Sequence, residues 1–217
     1  MTHRESSQPI TDFNVRNTEG KRGPGRPRVF EPTAVLDHAV RSFWERGYES
    51  TDVDSIAKAV GATKPSLYRL FGDKESLFLA ALERYAATIS SRALTAFRDE
   101  PEIADAVAAY LETAVRESTM EGRPTGCLIA SIASGCAETS PKVKEFYSRG
   151  IDSLVEQLSA RFTHEARTGR IPTIPSALVR ARMLVDVTQG LALRARAGSS
   201  RHELLRDARG YAAIVLS

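Results

Sequence analysis

From Pro32 onward, apolar residues recur at steps of three and four almost to residue 216, and no run alternates as a half-buried strand would. The period is clearest late in the chain. Leu178, Ala181, Val185, Thr188 and Ala192 share one face of a helix, and Leu204, Ala208, Tyr211, Ala212 and Val215 share one face of the next. The pattern predicts helices over about 32–46, 52–60, 64–70, 73–97, 102–119, 126–138, 142–168, 176–197 and 201–216. Their breaks have local causes. Pro32 suits a helix start, Gly47 ends the first helix, and Thr51 is placed to cap the second, with Asp54 three residues on. Thr63 caps the third, and Gly72-Asp73 divides it from the fourth. Later breaks fall at Pro101, Gly122–Pro124, Pro141, the 169–175 stretch and Gly198–Ser200. Residues 1–20 lack any apolar period and are rich in Ser, Thr, Asn and Gln, which predicts a flexible tail.

Within 51–74 the spacing is more specific than a plain helical hairpin requires. Ala57 supplies the small residue where two helices cross, Gly61 tolerates the positive φ of the turn, and Leu67 and Leu70 bury the back of the following helix. This leaves Lys64, Pro65, Ser66, Tyr68 and Arg69 near the amino end and outer side of that helix, the part that enters a major groove in a helix-turn-helix. Lys64 is placed either to read a guanine edge or to touch only phosphate.

Charge alters this picture only locally. The chain of 217 residues carries 30 basic and 27 acidic side chains. Residues 21–28, Lys-Arg-Gly-Pro-Gly-Arg-Pro-Arg, nevertheless hold four cations and no acid. Arg26 and Arg28 there form a Gly-Arg-Pro-Arg element resembling the core of an AT-hook. It suits a narrow minor groove, or else serves as a basic linker. No stretch is long and apolar enough for a membrane helix, and the first thirty residues lack a signal core. Cys127 and Cys136 on one helix would point to opposite faces about 13 Å apart along the axis, so they cannot bridge, and a reducing cytoplasm is the expected setting. An enzyme would need Cys127 as nucleophile with His164, since no Ser-centred elbow or phosphate loop occurs. A nucleoid protein would bind through the basic arm without operator preference. No cofactor is called for.

With Phe43-Trp44-x-x-Gly47-Tyr48-x-x-Thr51 before it and Leu67-Tyr68-x-x-Phe71-x-x-Lys74-x-x-Leu77 after it, the stretch of about 33–82 strongly resembles the DNA-binding domain of the TetR/AcrR family of regulators. The resemblance implies an all-α fold: a three-helix DNA-binding domain at 30–75 behind a 1–29 tail, and a six-helix ligand-binding and dimerisation domain at 76–217. It implies phosphate contacts from Tyr68 and Lys74, and backbone-facing caps at Thr51 and Thr63. Sequence choice then falls to Lys64, Pro65, Ser66 and Arg69. Leu70 stands where many members carry His or Tyr, so a phosphate contact made there in relatives is missing. The partners implied are double-stranded operator DNA, a second copy paired through about 176–216, and a small-molecule effector among the middle helices. The late apolar stripes either make that pairing or face the chain's own core. Candidate effector contacts are Tyr110, Cys127, Phe146, Tyr147 and Gln189. The function expected is a repressor released by a small molecule. A thiol- or metal-responsive regulator using Cys127, in its Gly-Cys-Leu context, is the lesser alternative.

Overall fold

The computed structural model describes residues 31–217. The basic element at 21–28, with Arg26 and Arg28, lies outside the described residues. Helix α1 (Pro32–Ser50) starts on its proline and loses helical geometry at Gly47, whose φ is 80°. Asp52, Thr63 and Asp73 then cap α2 (Val53–Ala59), α3 (Lys64–Phe71) and α4 (Lys74–Tyr85), each side chain accepting a backbone N–H of the first turn. Helix α4 runs on through a π turn (Ala86–Ser90) into α5 (Ser91–Asp99). Next come α6 (Ile103–Ser118) and a second π turn (Ile129–Ala133) leading into the short α7 (Ser134–Cys136). The chain continues through α8 (Pro141–Arg167), α9 (Ala177–Arg196) and α10 (Arg201–Leu216). Ser140, Ser176 and Ser200 cap these last three. Among the described residues there is no strand, and no helix is long and apolar enough to cross a membrane.

Two apolar cores organise the helices. The first joins Val35, Phe43 and Trp44 of α1, Ile56 and Ala57 of α2 and Leu67 of α3 to α4. It takes in α4 as far as Tyr85, together with Leu128, Ala133 and Val143 from the 128–143 segment. The packing unit around the three amino-terminal helices is therefore larger than residues 30–75. The second core is built from α5, α6, α8, α9 and α10.

That second core corrects one expectation. Ala181, Val185, Ala192, Leu204, Ala208, Ala212 and Val215 are buried within the chain itself, and Leu178 alone of these apolar stripes is exposed. The stripes therefore seat α9 and α10 on α6 and α8, and leave the opposite side uncovered. There Leu193 and Ile214 are 49% and 56% exposed. Gly190 and Gly210 lie on the same faces, and a Cβ at either would meet nothing within 4 Å.

Gly126 is held on both counts that make a glycine obligatory. Its φ is 86°, and a Cβ would sit 2.9 Å from Arg196 Cβ and 3.0 Å from the Ala192 carbonyl oxygen. Gly126→Ala is expected to lower stability by about 2–3 kcal/mol. Gly169→Ala, with φ of 73° but open space around it, should cost only about 1 kcal/mol. Urea midpoints of the two variants check this; equal losses would mean that the close approach to α9 contributes nothing.

Candidate DNA interface and effector cavity

Helices α2 and α3 cross at Ala57, which is 1% exposed, and the chain turns through Gly61 at φ 68°. The Ala62 N–H donates to the Ala57 carbonyl at 2.8 Å and closes the turn. Leu67 is fully buried on the inner side of α3. Tyr68 and Phe71 flank it against the core, whereas Leu70 is half-exposed and stays out of it. The expectation that Leu70 backs the helix is thus corrected. Positions 64, 67, 68 and 71 share one side of α3, and 66 and 70 fall on the other.

The outer face carries Pro65 and Arg69, both exposed, together with Ser66, which is half-exposed. The Thr63 hydroxyl sits 2.9 Å from that of Ser66 and accepts its N–H. Lys64 lies with its ammonium 5.7 Å from the centre of the Tyr68 ring. Lys74 opens α4, donating to the Glu49 carbonyl at 3.0 Å, with its ammonium 4.9 Å from the Tyr48 ring centre. The cation is thereby fixed beside the first turn of α4, whose unpaired N–H groups already favour an anion. Thr51 departs from expectation. It is 2% exposed and its hydroxyl donates into α1, to the carbonyls of Gly47 (2.6 Å) and Ser42 (3.1 Å). Asp52, one residue on, caps α2, and Thr51 anchors the end of α1 instead of facing outward.

A cavity of about 360 Å³ opens between α4–α5, α6, α8 and α9. It brings Tyr110, Cys127, Phe146, Tyr147 and Gln189 together on one wall system. Sequence reasoning missed Tyr85 and Thr188, which line it too; nothing in their spacing separates them from ordinary core. Both π turns border the cavity, through Ala86, Ile89 and Ser90 on one side and Ile129 and Ala130 on the other. Such turns widen a helix by one residue and concentrate at binding sites. The Tyr147 hydroxyl donates to Gln189 Oε1 at 3.0 Å. Burial pushes the Tyr85, Tyr110 and Tyr147 phenols above their ordinary pKa, the nearby Cys127 adding to the shift at Tyr85, so all three stay protonated near neutrality. Cys127 lies against the Tyr85 hydroxyl, while His164, at the far end of α8, faces Arg170 at 3.3 Å. Among the described residues no three His, Cys, Asp or Glu side chains converge as a metal site would require.

The cavity wall touches the DNA-binding unit directly. The Tyr85 ring meets the Trp44 indole edge-on, with centroids 5.0 Å apart and planes at 81°. Arg196 donates to the Trp44 carbonyl at 3.2 Å, and Trp44 Nε1 is buried without a partner. Farther out, Ser140 donates to Glu75 at 2.7 Å and Lys142 pairs with the same carboxylate at 3.2 Å.

Comparison with known proteins agrees with the helix-turn-helix and with the all-helical fold. Residues 35–81 match the family model described as bacterial regulatory proteins, tetR family. The HTH-type transcriptional repressor ComR of Escherichia coli K12 is 30% identical over 192 residues, covering 87% of this chain and 90% of its own. The repressor BdcR of the same organism is 26% identical over 190 residues, covering 86% and 96%. Among solved structures, a cysteine mutant of the TetR family transcriptional regulator CifR, complexed with 26-bp double-strand operator DNA, superposes with a TM-score of 0.78. It is 26% identical and covers 87% of this chain and 98% of its own.

Proposed function

The chain belongs to the tetR family of bacterial regulatory proteins, and from that premise we propose that it is a repressor released from its operator when a small molecule occupies the cavity. It is a DNA-binding transcriptional regulator, as its relatives are, and not an enzyme. The observation that carries the finer reading is the contact between Tyr85, on the cavity wall, and Trp44, in the core that holds α1 to α3. An occupant of the cavity thereby touches a residue on which the DNA-binding unit rests. Repression, not activation, follows the two relatives of nearly full coverage.

Two copies joined along the outer faces of α9 and α10, through Leu193, Ile214 and the open glycines, would present two recognition helices. These must stand about 34–36 Å apart, or a multiple of that, to reach successive major-groove faces. Pro65, Ser66 and Arg69 then read bases, Tyr68 and Lys74 hold phosphates, and the arm at 21–28 enters the adjoining minor groove.

The test begins with selection of a preferred duplex from a random pool, followed by fluorescence anisotropy. A repressor of this kind binds the selected duplex far more tightly than unrelated DNA. Equal affinity for both would sink the operator reading. Lys74→Ala and Tyr68→Phe are expected to weaken binding to all duplexes alike, and Lys74→Ala should lower the salt slope by about one. A changed sequence preference in either variant would contradict the phosphate assignment.

A further inference from the structure

The cavity's own chemistry narrows what it can hold; the argument rests on the reading of the cavity as the effector site. Its volume of about 360 Å³ falls within the range of small-molecule pockets, about 300–1,000 Å³.

Charge is excluded by the walls. No Lys, Arg or His side chain lines the cavity, and its one ionisable acid beyond the phenols and Cys127 is Glu117. That carboxylate is already engaged twice, by Arg92 at 2.9 Å and Arg123 at 2.7 Å. An anionic ligand would find no cation on the walls and would face Glu117. A cationic ligand would compete with two guanidiniums for the same oxygens. Either would bury an uncompensated charge. The rest of the surface is apolar, from Ile89, Leu94, Ile129, Phe146 and Leu154, with neutral hydroxyls between.

One amide on the wall is left with unused donors. Gln189 accepts from Tyr147 through Oε1, and its Nε2 has no protein partner among the described residues. An amide nitrogen carries two N–H donors. Gln189 lines the cavity, where an occupant can supply the acceptor.

We propose that the effector is a small, uncharged, largely hydrocarbon molecule carrying a carbonyl or ether oxygen, which Gln189 holds beside Tyr147 while the hydrocarbon body fills the apolar walls. Trp44 is the single tryptophan of the chain and abuts Tyr85, so its emission reports occupancy. The intact protein is titrated with menthone and camphor as neutral ketones, p-menthane as the hydrocarbon without an acceptor, 4-isopropylcyclohexanecarboxylate as the anion, and acetyl-coenzyme A. The expected result is a saturable change with at least one ketone, the carboxylate binding about 100-fold more weakly. Gln189→Leu should weaken the ketone about tenfold and leave p-menthane unchanged. Absence of saturation by both ketones overturns the proposal. So does equal binding by the carboxylate or the thioester, or indifference of the ketone to Gln189→Leu. Operator binding is measured on the same preparations. Its persistence beside a failed ketone titration removes only the ligand class, whereas its loss removes the repressor reading itself.

Discussion

Arg180→Met is expected to lower the unfolding free energy by about 3–5 kcal/mol, the range seen when one partner of a buried charged network is removed. Arg180 is fully buried. Its guanidinium makes five hydrogen bonds, all to main-chain oxygens. Nε donates to Pro175 at 3.1 Å, and Nη2 to Pro172 at 3.2 Å and Ile174 at 3.1 Å. Nη1 donates to Ser217 at 3.1 Å and to Val215. An arginine has five N–H donors, and here each is used. No Asp or Glu side chain pairs with it among the described residues. The charge is met instead by the carbonyl end of α10, where the helix leaves its last C=O groups unpaired and carries partial negative charge. Methionine fills similar space but strands those carbonyls in the interior, each costing about 1–3 kcal/mol if water cannot reach it. Relaxation of the 172–175 loop offsets part of that sum. Arg149→Met is the control. Arg149 makes an exposed pair with Glu145 at 3.2 Å, which contributes about 0.5 kcal/mol or less. Urea unfolding of the two variants decides the matter. A loss below about 1 kcal/mol at Arg180 would mean that those carbonyls are readily hydrated.

Arg180 also marks where the sequence falls silent. A basic residue on an amphipathic helix reads as solvated, and its partners are carbonyls that no residue type announces. The late stripes failed for a related reason. Periodicity states that the face bearing Ala181 and Val185 is buried, but not whether its cover is the same chain or another. At Thr51 two adjacent residues are both good caps. Choosing Asp52 depended on a φ/ψ boundary one residue away, finer than pattern can resolve. At Leu70 an eight-residue helix offered four apolar or aromatic candidates for one narrow inner side, and the rotation of α3 gave it to Leu67, Tyr68 and Phe71. What was legible rested on rigid requirements. Ala57, Gly61 and Leu67 answer to the crossing, turn and back of the motif, and the structure places them so. Tyr110, Cys127, Phe146, Tyr147 and Gln189 were candidates through the family resemblance, not through their spacing, and the structure brings them to one cavity.

Operator and cavity ligand are expected to weaken each other by one common factor, between about 5-fold and 150-fold, the usual span of a coupling free energy of 1–3 kcal/mol. The geometry gives the reason. Lys74 and Tyr85 bound the 12 residues of α4, a rod of about 18 Å at 1.5 Å per residue. One end carries the cation set against Glu49 and Tyr48, and the other reaches the cavity and passes into the π turn at Ala86–Ser90. A ligand that displaces Tyr85 also presses on Trp44, which Arg196 of α9 holds by its carbonyl. Rod and core therefore move together, and the cation at Lys74 shifts against the phosphate it would meet. In a pair of such subunits the spacing of the two recognition helices shifts with it, so the ligand needs only to prefer the spacing the operator rejects. Linkage then demands reciprocity. The ketone that binds the free protein is titrated by calorimetry with and without saturating operator, and operator affinity is measured with and without the ketone. The two ratios should agree. Trp44→Phe, which keeps a ring in the core but loosens its fit against Tyr85, should bring both ratios towards one while leaving each single affinity nearly intact. A ketone affinity unmoved by operator in the native protein would disprove coupling through this contact.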